Sequence, residues 1–380
     1  MTAAGYAVVI ITRDRPSYLK QFIKALDQAI RANGDIQCHG VAIVDDSVDR
    51  RSRVSNAHSL RTLMKNAPHR WIDREVQEKL TREAGFVEVR GLLRPLGSRH
   101  WCVGGARNTG ALYWLTSNPC PQVIAFFDDD LLPIDRNHEW LHCLVSKCGR
   151  SGEITGARIT GMQDESRLES IHRRLLSTES LSIDKAIDDR HEAYPISGGC
   201  MVVPSELMKK NCFPLVYNED WILCLEFLAE DARVCLLPDP LLWQRMSRDK
   251  ISMRRLQQEA IGGLAYRTML RLHPAKRRLE SIVEEEELWA EERSRYCREV
   301  LDVHMACVQV KSCGDRLQDF ELGALSVWVS QVPPTQDSFS DHGLARASWC
   351  RILERHLLRE NPSGRLTRAC DSTDQAPSTT

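Results

Sequence analysis

The chain has 380 residues, 42% of them hydrophobic and 27% charged, an ordinary globular composition that excludes a wholly disordered chain. That length exceeds one compact core and predicts a large domain with an appendage, or two domains. Lys and Arg number 51 against 52 Asp and Glu, for a net charge of -1, which argues against broad, non-specific nucleic-acid binding.

The longest apolar runs, Ala7 to Ile11 and Val123 to Phe127, have strand length, far below the roughly 20 residues that cross a bilayer. Met1 to Gly5 carry no basic flank, and the apolar stretch behind them is too short for a signal peptide. A cytoplasmic protein without a transmembrane segment is therefore expected. The 14 Cys are scattered without a C-x-x-C pair, so zinc-site spacing is absent, as is the density of a small disulfide scaffold. They read as small buried hydrophobes.

Taken in order, the first half alternates strands and helices. Tyr6 to Thr12 is continuously apolar, as a buried parallel strand should be, and Arg13-Asp14-Arg15-Pro16 stops it. Ser17 stands where an N-cap would, and Leu19, Phe22, Ile23 and Leu26 recur at helical spacing. Gly40 to Val44 forms a second strand that ends in Asp45-Asp46-Ser47, completing a βαβ unit. Asp49 to Lys79 is polar with weak helical periodicity, and Gly85 to Arg90 is a candidate third strand. A helix is expected from the Gly104–Gly110 segment through Leu115, then a strand over Val123 to Phe127 that runs into Asp128-Asp129-Asp130, then a helix over His138 to Cys148. Ile154 to Ala193 reads as an insertion. Pro195 to Pro204 has a strand core beside Gly198-Gly199, Asn218 opens an amphipathic helix through Phe227, and Ala232 to Leu237 is a last short strand. Beyond Met246 strands disappear and helical patterns run to Val329; Pro333-Pro334 break the chain, and a short helix over Ala345 to Arg359 follows. Asn361 to Thr380 is polar and expected to be disordered.

The acidic triplet Asp128-Asp129-Asp130 carries the strongest chemical signal. It leaves a fully apolar strand, so its carboxylates emerge at the sheet edge where open α/β folds bind ligands. Adjacent carboxylates repel, and a hard divalent ion with oxygen ligands, shared with substrate phosphates, compensates them. Asp45-Asp46-Ser47 repeats the arrangement; it is either a nucleoside-binding acidic turn or an Asx turn. In Gly104-Gly105-Ala106-Arg107-Asn108-Thr109-Gly110, glycines and a helix start suit an anion, with Arg107 either on a phosphate or in a structural ion pair. Glu219-Asp220-Trp221 opens a helix and supplies either dipole-stabilised caps or a general base. Gln244, Arg245 and Arg248 follow the last strand, where they meet a departing diphosphate or form a solvated basic turn.

In order, these segments resemble the family 2 glycosyltransferases and their GT-A fold. Val8 to Pro16 looks like the opening strand and nucleotide loop, and Val44-Asp45-Asp46-Ser47 like the base-binding acidic turn. Gly105 to Gly110 is similar to the A-R-N-x-G helix start, and Phe126 to Asp130 to the metal-binding D-x-D. Ser197 to Cys200 resembles the glycine-bearing strand behind the donor sugar, and Glu219-Asp220 the E-D base motif.

The resemblance covers residues 6 to 245 and implies an α/β domain with a mixed, mainly parallel sheet, followed by helices. It implies an inverting transfer of a hexosyl group from a UDP-, GDP- or TDP-sugar to an acceptor hydroxyl, with Mn²⁺ or Mg²⁺ on the diphosphate. By position, Thr12 and Asp46 contact the nucleoside, Asp128 faces the ribose or metal, Asp130 ligates the metal, Asp220 is the base and Glu219 positions the acceptor. Arg13, Arg15, Asp45, Arg107, Asn108, Asp129, Gly198, Gly199 and Arg245 surround the donor. Trp243-Gln244-Arg245 stands where many relatives place a His metal ligand, and the processive Q-x-x-R-W signature is absent. The expected organisation is a transferase domain over 1–245, a helical region over 246–330, a short helix and linker over 331–360 and a tail over 361–380. The alternatives are a sugar-phosphate nucleotidyltransferase, which would carry a glycine-rich loop after its first strand, and a non-catalytic sugar-binding protein.

Overall fold

The computed structural model describes residues 5–83, 103–134, 138–160, 196–216, 218–244, 253–309, 324–332 and 337–360. The first strand, β1 (Tyr6–Thr12), is buried at every position and lies between β2 (Cys38–Asp45) and β4 (Val123–Asp128), parallel to both. Helices α1 (Pro16–Ala32) and α2 (Arg50–Leu63) and strand β3 (His69–Ile72) complete this half, with α3 (Arg74–Glu83) and α4 (Val103–Leu115) beyond. Then come β5 (Leu131–Pro133), α5 (Trp140–Ser151), β6 (Ile154–Thr160), β7 (Cys200–Pro204), the short α6 (Ser205–Met208), α7 (Glu219–Ala229) and β8 (Val234–Gln244). All eight strands form one sheet, in the order β3-β2-β1-β4-β7-β6-β8-β5. Strand β7 is antiparallel to β4 and β6, and β8 runs parallel to β6. The expected class, a mixed and largely parallel sheet followed by helices, is the one found.

Several boundaries differ from expectation for physical reasons. Helix α1 starts at Pro16 with Arg15 at the N-cap position and no side-chain cap, so Ser17 is not the cap; proline suits the first helical turn because its missing N–H is one of the orphan donors there. Strand β3 falls inside a stretch read as weakly helical. It is four residues at the sheet edge, with His69 and Arg70 exposed, and so carries no burial pattern. Strand β6 occupies part of the expected insertion; a Cβ at Gly156 would strike Ile196, so this strand depends on a glycine that weakened its sequence signal. The Gly85–Arg90 strand lies outside the described residues.

Two layers cover the sheet. Leu19, Phe22 and Leu26 of α1 and Trp140 and Leu144 of α5 pack with Val8, Ile10 and Phe127 on one face. Ala111 and Trp114 of α4 and Leu223 and Phe227 of α7 pack with Val9, Ile11 and Phe126 on the other. Helix α7 is not the amphipathic helix expected, because its opposite side, Trp221, Ile222 and Leu225, belongs to a second core. That core joins α8 (Met253–Arg271), a 3-10 turn (Leu279–Glu284), α9 (Glu286–Gln309) and a helical stretch over 324–330. The last helix, α10 (Asp337–Glu360), is longer than expected. Its Ala345, Trp349 and Leu353 sit in the core of the α/β layer, and the Trp349 indole donates to the Met208 carbonyl at 2.7 Å. Among the described residues no helix is long and apolar enough to cross a membrane.

Candidate active site

The chain reverses direction of strand addition at β1, with β2 and β3 on one side and β4 on the other. Such a switch point opens a crevice beyond the carboxyl ends of the strands. Register brings the sequence motifs to this edge: Thr12 pairs with Asp45, and Ile11 with Asp128. Phe127 faces Cys200 across the antiparallel pair, so Gly198 and Gly199 arrive beside the triplet, and the Asp128 amide donates to the Gly199 carbonyl at 3.1 Å. Strand β8 ends there too, at Gln244.

The three carboxylates of the triplet have different surroundings. Asp129 is fully buried; Thr12 Oγ1 donates to it at 2.6 Å and Arg15 lies 2.8 Å from its other oxygen. Asp130, 5% exposed, accepts from Arg15 at 2.7 Å and from Gln244 Nε2 at 3.0 Å. Asp128, 23% exposed, accepts from Arg107 through Oδ1 at 3.0 Å, and its Oδ2 receives no hydrogen bond among the described residues. Burial pushes Asp129 up to about 8 and raises Asp130, with Arg15 opposing both. Arg15 lies against both carboxylates and is itself raised because they outweigh its own burial; the Arg15 contacts are ion pairs.

Arg107 joins the triplet to the motif at the start of α7. It is 3% exposed, ion-paired with Asp128 and hydrogen-bonded to Glu219, and Phe213 lies 5.6 Å below its guanidinium. Helix α4 packs close enough for this because Gly104 and Gly110 leave no Cβ to strike Pro214 and Val9. The glycines thus lie within the helix rather than in a phosphate loop ahead of it. Asn108 is fully buried, and its amide exchanges two 2.8 Å bonds with the Phe213 backbone. A Cβ at Gly198 would strike the Arg107 guanidinium, so a side chain there would have to move Arg107 off its partners. The Gly198 amide donates to Asp220 Oδ2 at 2.5 Å, and the Trp221 amide to Oδ1 at 2.9 Å. Asp220 is partly exposed, raised by burial against the pull of Arg107, while Glu219 is buried and pushed up to about 8 by the same cause.

At the second acidic turn, the Asp45 side chain accepts from the Ser47 amide at 2.9 Å, Asn56 at 3.0 Å and Trp71 Nε1 at 3.3 Å, which is the Asx-turn geometry. Asp46 is 1% exposed, with Arg13 at 3.5 Å and Arg74 at 3.9 Å. Arg245 lies outside the described residues. Sequence reasoning missed Asn56, Trp71, Arg74 and Gln77, which converge on Asp45 and Asp46 from α2, β3 and α3; nothing local marks them, since it is folding that brings them to the turn.

Among the described residues no three His, Cys, Asp or Glu side chains form a ready metal cage. The donor chemistry nonetheless fits a hard divalent cation: Asp128 offers an open carboxylate oxygen at the crevice, and Asp130 stands two residues on. Mg²⁺ typically takes one or two carboxylates and completes its shell with water and substrate phosphate.

No family model matches the chain, and no curated protein matches it. Among solved structures, it is similar to glucosyl-3-phosphoglycerate synthase from Mycobacterium tuberculosis in complex with phosphoglyceric acid, at 15% identity and a TM-score of 0.46, over 69% of this chain and 78% of that one. The same synthase in complex with Mn²⁺, uridine diphosphate and glucosyl-3-phosphoglycerate aligns at 16% identity and 0.46, with the same coverage. Its complex with Mg²⁺ and uridine diphosphate aligns at 16% and 0.43, over 69% of this chain and 77% of that one. At such identities and scores the likeness decides nothing about activity.

Proposed function

We propose that the chain is a metal-dependent glycosyltransferase that moves a hexosyl group from a nucleoside-diphosphate sugar to an acceptor hydroxyl with inversion. One observation carries the reading. Two adjacent glycines tie the triplet to the candidate base, Gly199 through its carbonyl to the Asp128 amide and Gly198 through its amide to the Asp220 carboxylate. A carboxylate suited to a cation and one suited to a proton are thereby held on either side of one pair of adjacent glycines.

Asp128 and Asp130 would hold the divalent ion, which when bound offsets the charge that develops on the leaving diphosphate. Asp46, set in its arginine frame, would meet the nucleoside. Both Asp220 oxygens accept backbone hydrogen bonds, yet each carboxylate oxygen has a second lone pair. Asp220 takes the acceptor's proton as that oxygen attacks the anomeric carbon, and the bond from that carbon to the diphosphate oxygen breaks on the opposite face. In this reading Arg107 and Asn108 hold the frame and do not touch the donor.

The test is a thermal-shift screen of the full chain against UDP-, GDP- and TDP-sugars, with and without Mn²⁺. One donor should raise the melting temperature only with metal, and Asp128→Asn should abolish the shift. A metal-independent shift, or none with any donor, overturns the reading. Pyrophosphate release from a nucleoside triphosphate and a sugar phosphate would favour a nucleotidyltransferase instead.

A further inference from the structure

Two arginines stand on the acidic triplet, and they are held very differently. Arg107 is encased, with Asp128, Glu219 and Phe213 around it. Arg15 is 26% exposed and comes from the turn between β1 and α1, where the preceding residue, Asp14, has a left-handed φ of 51°. Its two terminal nitrogens reach Asp129 and Asp130 at 2.8 and 2.7 Å. The second oxygen of Asp130 accepts from Gln244, and the second oxygen of Asp129 from Thr12. Asp128 Oδ2 is thus left as the open carboxylate oxygen of the triplet. A divalent ion held by Asp128 and Asp130 would compete with the Arg15 guanidinium for the Asp130 carboxylate.

We propose that Arg15 is a displaceable internal counter-ion of the triplet, which occupies Asp130 until a divalent cation and a donor diphosphate arrive together, and then transfers to the diphosphate. This rests on the glycosyltransferase reading above. The exchange is balanced in charge. The cation replaces one guanidinium contact at Asp130, and the freed guanidinium faces the anion that the cation accompanies. The turn that carries Arg15 is placed to sense the donor as a whole. Its Asp14 amide donates to Ser47 Oγ at 2.7 Å, the Thr12 carbonyl accepts from the Asp46 amide at 2.9 Å, and Arg13 lies 3.5 Å from Asp46. Residues 12–15 therefore touch both acidic turns. Arg15 acts through Asp130 and is a positioning residue, so metal binding itself is the readout.

The experiment titrates Mn²⁺ alone into the full chain, read by the electron paramagnetic resonance of free Mn²⁺, for the native protein, Arg15→Gln and Arg15→Lys. Arg15→Gln should bind Mn²⁺ about tenfold or more tightly than native, the scale on which one contacting opposite charge biases a carboxylate. Arg15→Lys, a compact point charge without the two-pronged fork, should fall between them. With UDP-sugar and saturating Mn²⁺ the order should reverse, the Gln variant binding donor more weakly. Equal or weaker Mn²⁺ binding by both variants overturns this inference alone, and should Arg15→Gln fail to fold, Arg15→Lys decides. Absence of Mn²⁺ binding in every form, with and without donor, overturns this inference and the metal-dependent reading together.

Discussion

Asp220 and Glu219 are neighbours in the chain but live in different surroundings, and the difference sorts their roles. Asp220 is partly exposed beside the glycine pair, whereas Glu219 is buried against Arg107. Asp220→Asn keeps the shape and removes the proposed base, so on that proposal turnover should fall by about 10²–10⁴-fold with donor affinity little changed; near-full turnover in that variant would show a helix cap only. Glu219→Gln should cost less turnover and show itself in stability. Burial holds the Glu219 carboxyl at about 8, so the folded protein keeps a proton there that the unfolded chain releases near the ordinary carboxylate value. The folded state binds more protons between those values, and its stability must fall as pH rises through them. The melting temperature of the native protein should decline from about pH 5 to 8, and Glu219→Gln should flatten that slope. An unchanged slope would show that Glu219 is already ionised against Arg107 across this range.

Helix α7 is the element on which the two cores meet. Glu226, in its middle, is fully buried and accepts from the Leu279 amide at 3.2 Å, while His342 of α10 lies 3.1 Å away. Burial pushes the Glu226 carboxyl up, but His342, Arg346 and the Leu279 amide outweigh it and hold it below the usual range. The helix that presents Asp220 is thereby pinned from behind by the end of the chain. Removing one partner of a buried pair leaves the other charge uncompensated, typically at ~3–5 kcal/mol. His342→Ala should lower stability by about that amount in denaturant titration, and His342→Ala with Glu226→Gln should recover much of it. A single variant as stable as native would make the pair incidental. The neighbouring contacts of α10 and Glu230, Arg346 to Glu280 and Arg278 to Glu230, lie nearer the surface, where exposed pairs contribute little.

At the scale of the molecule, α10 closes the fold it was expected only to trail. Trp349 and Leu353 fill the same core as Phe126 and Trp114, and fully burying a side chain of this size typically contributes about 1.5–3 kcal/mol. A chain truncated after residue 336 should therefore lose its cooperative melting transition in calorimetry; an unchanged transition would show that α10 merely docks. The strands β1, β2 and β4 and their acidic ends were legible because each is an apolar run closed by charge, a pattern written within ten residues. The candidate carboxylates were legible with them: Asp128, Asp130, Asp46 and Asp220 all stand beside an element boundary. Strands β3 and β6, the burial of both sides of α7 and the return of α10 were not, because none of them carries such a pattern in its own residues: β3 has two exposed positions in four, β6 is broken by Gly156, and α7 and α10 are buried by cores that other elements supply. So the sequence by itself determined the alternating class, the carboxylates and the sheet edge at which they emerge, since local hydrophobic period and charge suffice for these. Only the tertiary structure decided which carboxylate each arginine neutralises. Arg15 could have faced solvent and Arg107 a phosphate; burial beside Asp129 and Asp128 is what commits each guanidinium, because a charge removed from water must meet its opposite.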